Sequence, residues 1–198
     1  MRTKFLPPTP SCYYSRTMPP RTTASAKKHP VRRGAKKSPA KESAPAASPA
    51  AQLDTFLDKY QPVVAAEARD ALRRLRARLP GAQELVYDNY NALAIGFAPT
   101  DRASDALFSI ALYPRWVSLF FLLNGTRLRD PDGLLAGSGH QVRHIQLANA
   151  AMIDSPGVQD LIAQALELAD TPIDPTQPRR LIVKSISPRQ RPRRPAAK

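Results

Sequence analysis

The sequence predicts an α+β fold, a two-layer arrangement of one antiparallel β-sheet flanked by an N-terminal and a C-terminal helix, with disordered basic tails on either side. Three observations lead there. Apolar residues recur at helical spacing before residue 80 and again after residue 155. Between those two stretches they gather into short runs separated by polar turns, the pattern of an antiparallel meander rather than of βαβ units. Charge then divides the chain into a basic head, a mildly acidic middle and a basic end.

The charge pattern sets the segment boundaries. Residues 1–51 hold eleven Lys/Arg against one acid, residues 52–170 eleven against fourteen, and residues 171–198 eight against one. The net charge of +14 therefore belongs to the tails, and the folded part does not read as a basic nucleic-acid-binding domain. One domain of about 120 residues (52–170) is an ordinary size. Cys12 is the only cysteine, which excludes an internal disulfide or a cysteine zinc site and fits a reducing, cytoplasmic compartment. No apolar run approaches the ~18–20 residues of a membrane span, so no membrane partner is expected. The head lacks the continuous apolar core of a secretory signal, and its nine prolines by Pro49 oppose an amphipathic targeting helix. Either Met1 or Met18 can serve as the initiator.

Lysine, proline and alanine dominate residues 27–51, which offer too little apolar surface to offset the entropy of ordering. Such a tail either binds nucleic acid non-specifically through counterion release or is a solvated extension. The domain opens with Leu53, Phe56, Leu57 and Tyr60 on one helical face. Pro62 breaks this pattern or starts a second helix, in which Val64, Ala68, Leu72, Leu75 and Leu79 form the apolar stripe. Arg69, Arg73, Arg74, Arg76 and Arg78 lie opposite that stripe, as a solvated face or an anion grip, and Pro80-Gly81 ends the helix. Strands follow at 84–87, 92–98, 106–113 and 116–123, then a turn at Asn124-Gly125 and a weakly alternating edge strand at 142–147. Asp154-Ser155-Pro156 announces the closing helix, whose buried face is Val158, Leu161, Ile162, Ala165, Leu166 and Ala169. Within 171–198 the apolar island at 181–186 either adds a strand or serves as a linker.

The stretch from Ser118 to Leu147 carries the features closest to chemistry. Asp130-Pro131-Asp132-Gly133 has the composition of a type I turn, with Leu134 and Leu135 turned toward the core. The loop is either ordered for geometry alone or an anion cradle built from the Gly137–Gly139 amides, His140 and Arg143. It lacks the lysine and Ser/Thr of a P-loop, and neither GxSxG nor HExxH occurs. His140 and His144 stand four apart in extended chain, too far for one metal, whereas Asp130 and Asp132 could join His140 in a mixed oxygen/nitrogen site. Trp116, with Tyr113 and Phe120, lines a pocket or belongs to the core.

The motifs ELVYDNYNALAIGF and LFFLLNGTRLRDPDGLLAGSGHQVRHIQL resemble the YdhG-like family, a bacterial domain of unknown function. The likeness spans residues 53–169 and is strongest at Gly125, Leu128, Asp130-Pro131, Leu134-Leu135, Gly137, Gly139, Arg143 and Ile145. The basic segment RRLIVKSISPRQRPRRP also resembles an extension carried by some members. The resemblance implies a small α+β domain with a sheet between terminal helices. The expectation is thus a non-enzymatic module without a resident cofactor, binding a small anion or a protein partner. Asp130, His140 and Arg143 are its candidate ligand-binding residues, with Tyr87 and Trp116 as pocket walls. Some relatives are described as frataxin-like iron chaperones, which implies an alternative: an iron carrier using Asp130, Asp132 and His140.

Overall fold

The computed structural model describes residues 47–195. The head expected to be disordered, with Cys12 and Met18, lies outside the described residues up to position 46, as do residues 196–198.

Helix α1 spans Pro49–Leu57 and so begins inside the segment expected to be disordered. The reason is local: Ser48 Oγ accepts from the Ala51 amide at 3.2 Å, and Pro49 occupies the first turn, where a missing N–H costs nothing. Helix α2, Pro62–Arg78, buries Val64, Ala65, Ala68, Ala71, Leu72 and Leu75. Four strands then form the antiparallel meander: β1 Gln83–Asp88, β2 Leu93–Ala98, β3 Phe108–Leu112 and β4 Val117–Phe121. After a long loop β5, Arg143–Leu147, pairs antiparallel with β4, and α3, Pro156–Glu167, follows.

The sheet departs from expectation at its far edge. The apolar island becomes β6, Leu181–Ile186, and pairs with β1 in parallel, so the six-stranded sheet is mixed and not wholly antiparallel. A parallel neighbour requires a crossover of about a dozen residues or more, and residues 89–180, which run between β1 and β6, supply it. Two contacts near the start of β1 hold that crossover: the Glu84 amide donates to Arg180 O at 2.8 Å, and Gln83 Nε2 to Pro178 O at 3.1 Å.

Strand alternation sorts side chains onto two faces. Val86, Ile95, Phe97, Ile110, Leu119 and Ile145 join the helical side chains in the main core, where Phe108 meets Phe121 edge-on at 5.7 Å. The other face gathers Leu85, Ala98 and Ala106 with Tyr87, Leu122 and Ile182, a cluster that includes no helical residue. Among the described residues no helix is long and apolar enough to cross a membrane.

The basic C-terminal segment, expected as a disordered tail, is laid along the domain as far as Pro195. Beyond β6 the Ser187 amide donates to Asp88 O at 2.8 Å and the Arg191 amide to Tyr90 O at 2.9 Å. Arg194 then donates to the carbonyls of Asp58, Lys59 and Tyr60. Those oxygens follow the end of α1, where carbonyls lack intrahelical donors, and a multidentate cation both satisfies them and complements the helix dipole. Arg193 enters the interior, 5% exposed, and donates to Asp88 Oδ1 at 2.8 Å.

Candidate functional site

The loop between β4 and β5 satisfies its own polar groups. Asp130 Oδ1 and Oδ2 accept from the amides of Leu134 (3.0 Å) and Leu135 (2.7 Å), closing a turn in which Gly133 takes φ +65°. Leu134 and Leu135 pack on the main core beneath it. A Cβ built on Gly157 would lie 2.6 Å from Asp132 Oδ2, so that carboxylate sits over the first turn of α3, where the helix dipole favours it. Arg143 Nη1 donates to Gly139 O (2.6 Å) and Val142 O (2.8 Å), and the exposed His140 accepts through its carbonyl from Thr126 Oγ1. The guanidinium and the aspartate expected to face a ligand are thus both engaged by backbone of their own loop. Among the described residues no three His, Cys, Asp or Glu side chains gather in a way that would hold a metal ion.

The five candidate residues fall in three places. Arg143 pairs opposite Phe121 and Val117 opposite Leu147, which separates Arg143 from Trp116 by most of a strand, ~13 Å. Tyr87 stands on β1, three strand spacings or ~14 Å from β4, in the cluster that includes no helical residue. Its hydroxyl is buried without a hydrogen-bond partner, and burial raises its pKa.

The arginine stripe of α2 is matched by acids. Arg69 pairs with Asp58, Arg73 and Arg74 with Asp70, Arg74 and Arg78 with Asp154, and Arg76 with the buried Glu84 at 2.6 Å. The hydrogen bond from Arg74 holds the Asp70 carboxyl below its ordinary range, and the one from Arg78 does the same for Asp154. A groove of about 500 Å³ between α2 and α3 is lined by Arg73, Arg74, Arg78, Asp154, Ile162 and Leu166, so its cations already have carboxylate partners.

A second cleft, of about 300 Å³, opens where the start of α2 meets the β3–β4 turn and the end of β5. Val63, Val64 and Glu67 come from α2, Arg115, Trp116 and Val117 from the turn and β4, and Gln146, Leu147 and Ala148 from β5 and its exit. The turn is closed by the Tyr113 amide donating to Trp116 O at 2.9 Å. Trp116 stacks on Tyr113 at 5.1 Å and 23°, yet remains 39% exposed. Glu67 Oε1 is buried and, among the described residues, receives no hydrogen bond. Trp116 was visible in the sequence as a pocket wall. Glu67 was not, since an acid on the polar side of an amphipathic helix reads as solvated. A usable signal was Val63, a large apolar residue placed off the buried stripe and exposed in the fold.

No protein-family model matches the chain, and neither a curated protein nor a solved structure matches it at a significant level.

Proposed function

We propose that this chain is a non-enzymatic, cytoplasmic binding module of the YdhG-like kind, its helices forming one layer over the sheet, and that the Trp116 cleft receives its small ligand or protein partner. The observation that carries the reading is the pairing of an exposed tryptophan, held flat by Tyr113, with a buried carboxylate oxygen that no donor reaches. Exposed, rigid aromatics beside desolvated polar atoms are the usual composition of a binding hot spot. The loop from Asp130 to Arg143 offers less, because Asp130 and Arg143 are engaged by its own backbone. The basic head adds a salt-dependent attraction to nucleic acid. Loss of duplex binding on deleting residues 1–46, measured against salt concentration, tests that part.

The test of the cleft is a thermal-shift panel of small ions, amino acids and short peptides on the full chain, followed by titration of each compound that stabilises it. Compounds that bind the cleft lose about tenfold or more in affinity on Trp116→Ala, the size of effect expected from truncating an aromatic anchor. Binders unaffected by that change, and weakened instead by Arg143→Ala, would move the site to the loop.

A further inference from the structure

We infer that the Trp116 cleft takes an organic cation: an ammonium or guanidinium group on an aliphatic stem, as carried by a basic amino acid or a basic side chain of a peptide. The inference rests on the reading of this cleft as the binding site and names the chemistry that fits it.

Glu67 is the first observation. The two buried carboxylates of the described residues each meet a cation: Glu84 meets Arg76, and Asp88 meets Lys59 and Arg193. Glu67 is half-buried as a residue, but its Oε1 atom is buried and, among the described residues, receives no hydrogen bond. A desolvated carboxylate oxygen without a donor is unfavourable, and the penalty is relieved when a donor arrives. An anion entering the cleft would be repelled by that oxygen, and a neutral apolar group would leave it unsatisfied. A cation gains a charge-assisted hydrogen bond there, about twice as strong as a neutral one.

Trp116 is the second observation. Its indole stacks on Tyr113, stays partly exposed and lines the cleft, and cations are attracted to aromatic faces. Val63, Val64 and Leu147 complete an apolar lining against which a methylene stem can lie while its charged head reaches Glu67. Arg115 also lines the cleft, but it is exposed, so its repulsion of a cation is screened and small. Its removal should tighten binding slightly.

The chain contains one tryptophan, so its indole emission reports on this cleft alone. N-acetyl-arginine amide and N-acetyl-citrulline amide, nearly the same shape with and without charge, are titrated into the full-length protein. The arginine probe should change Trp116 emission and bind about tenfold more tightly than the citrulline probe. Glu67→Gln should erase that preference without lowering the thermal transition of the free protein, and Arg115→Ala should tighten arginine binding about twofold. Free arginine compared with a capped Ala-Arg-Ala peptide separates the two sources, since the source whose contacts the cleft was built for binds more tightly. Equal affinity for the arginine and citrulline probes, or a preference that survives Glu67→Gln, overturns the cation while leaving the cleft as a site. Trp116 emission unchanged by every probe, together with thermal-shift ligands insensitive to Trp116→Ala, overturns the cleft itself.

Discussion

Replacing Asp88 by asparagine should damage this fold more than replacing the arginine that pairs with it. Asp88 is 0% exposed at the end of β1, and its carboxylate accepts from Lys59 Nζ at 2.6 Å and Arg193 Nη2 at 2.8 Å. Arg193 also donates to Asn89 O and lies 5.6 Å from the Tyr60 ring, but its Nε and Nη1 are buried without acceptors. Arg193→Met removes the charge-assisted bond to Asp88, about 1.5–3 kcal/mol, and the bond to Asn89 O, while relieving two buried nitrogens that lack acceptors and keeping the apolar stem. Because Lys59 still neutralises Asp88, the net loss should be near 1 kcal/mol. Asp88→Asn instead leaves a buried guanidinium without its counter-charge, the kind of broken pair that costs about 3–5 kcal/mol. The double variant should regain about 2 kcal/mol relative to the sum of the singles. Urea unfolding of all four proteins gives the cycle, and Asp88→Asn alone should lower Tm by roughly 10 °C at ~2–4 °C per kcal/mol. Additivity within ~0.5 kcal/mol, or an Arg193→Met more damaging than Asp88→Asn, would refute the view that Asp88 anchors the C-terminal strap through Arg193.

Tyr60 is 1% exposed, and its hydroxyl donates to Leu112 O at 3.1 Å and accepts from the Leu93 amide at 2.9 Å. Tyr60→Phe strands both backbone groups and should cost about 1–3 kcal/mol in chemical denaturation. Burial also pushes the Tyr60 pKa up to about 12. The folded chain therefore holds this proton after the unfolded chain has released it, so the stability involved is intact below about pH 10 and is lost as pH rises toward 12. An alkaline titration followed by tyrosinate absorbance should show Tyr60 and Tyr87 ionising later than an exposed tyrosine, with Tyr60 ionising together with unfolding. Gly81 has φ +81°, and a Cβ there would overlap the Asp174 carbonyl, so Gly81→Ala should cost well over 2 kcal/mol. Gly133→Ala, at φ +65° with nothing within 4 Å, should cost only the ~1–2 kcal/mol of the left-handed conformation. Asp130→Ala should lower stability by about 1–2 kcal/mol, because it removes the acceptor for two loop amides. Iron titrated calorimetrically into this variant and the parent should give matching heats; iron binding that disappears while stability is unchanged would support the iron-carrier alternative.

The local grammar of the chain was legible without the fold. Leu72, Leu75 and Leu79 identify the buried side of α2 by spacing alone, and Pro156 after Ser155 marks the start of α3, because helix period and capping are set within a turn or two of sequence. The turn at Asp130–Gly133 was equally visible, since aspartate and glycine act on backbone only a few residues away. The backbone partners of Asp130 and Arg143 within the loop were not legible, because composition does not say which donor or acceptor lies nearest.

Tertiary structure decided the rest. Residues 181–186 read as an apolar island in either case. Their parallel place beside β1 depends on the crossover that returns the chain past Gln83 and Glu84, and pairing at that separation leaves no periodic trace. The outer arginines of α2 could be counted from the sequence, but Asp154, which neutralises Arg74 and Arg78, is brought to them only by packing of the distant segment before α3. Glu67 is the limiting case: its solitary oxygen is defined by donors that do not approach it. Side-chain spacing and capping are short-range and therefore written along the chain. Charge pairing and the lining of a cleft depend on which remote surfaces meet, and only the folded molecule determines that.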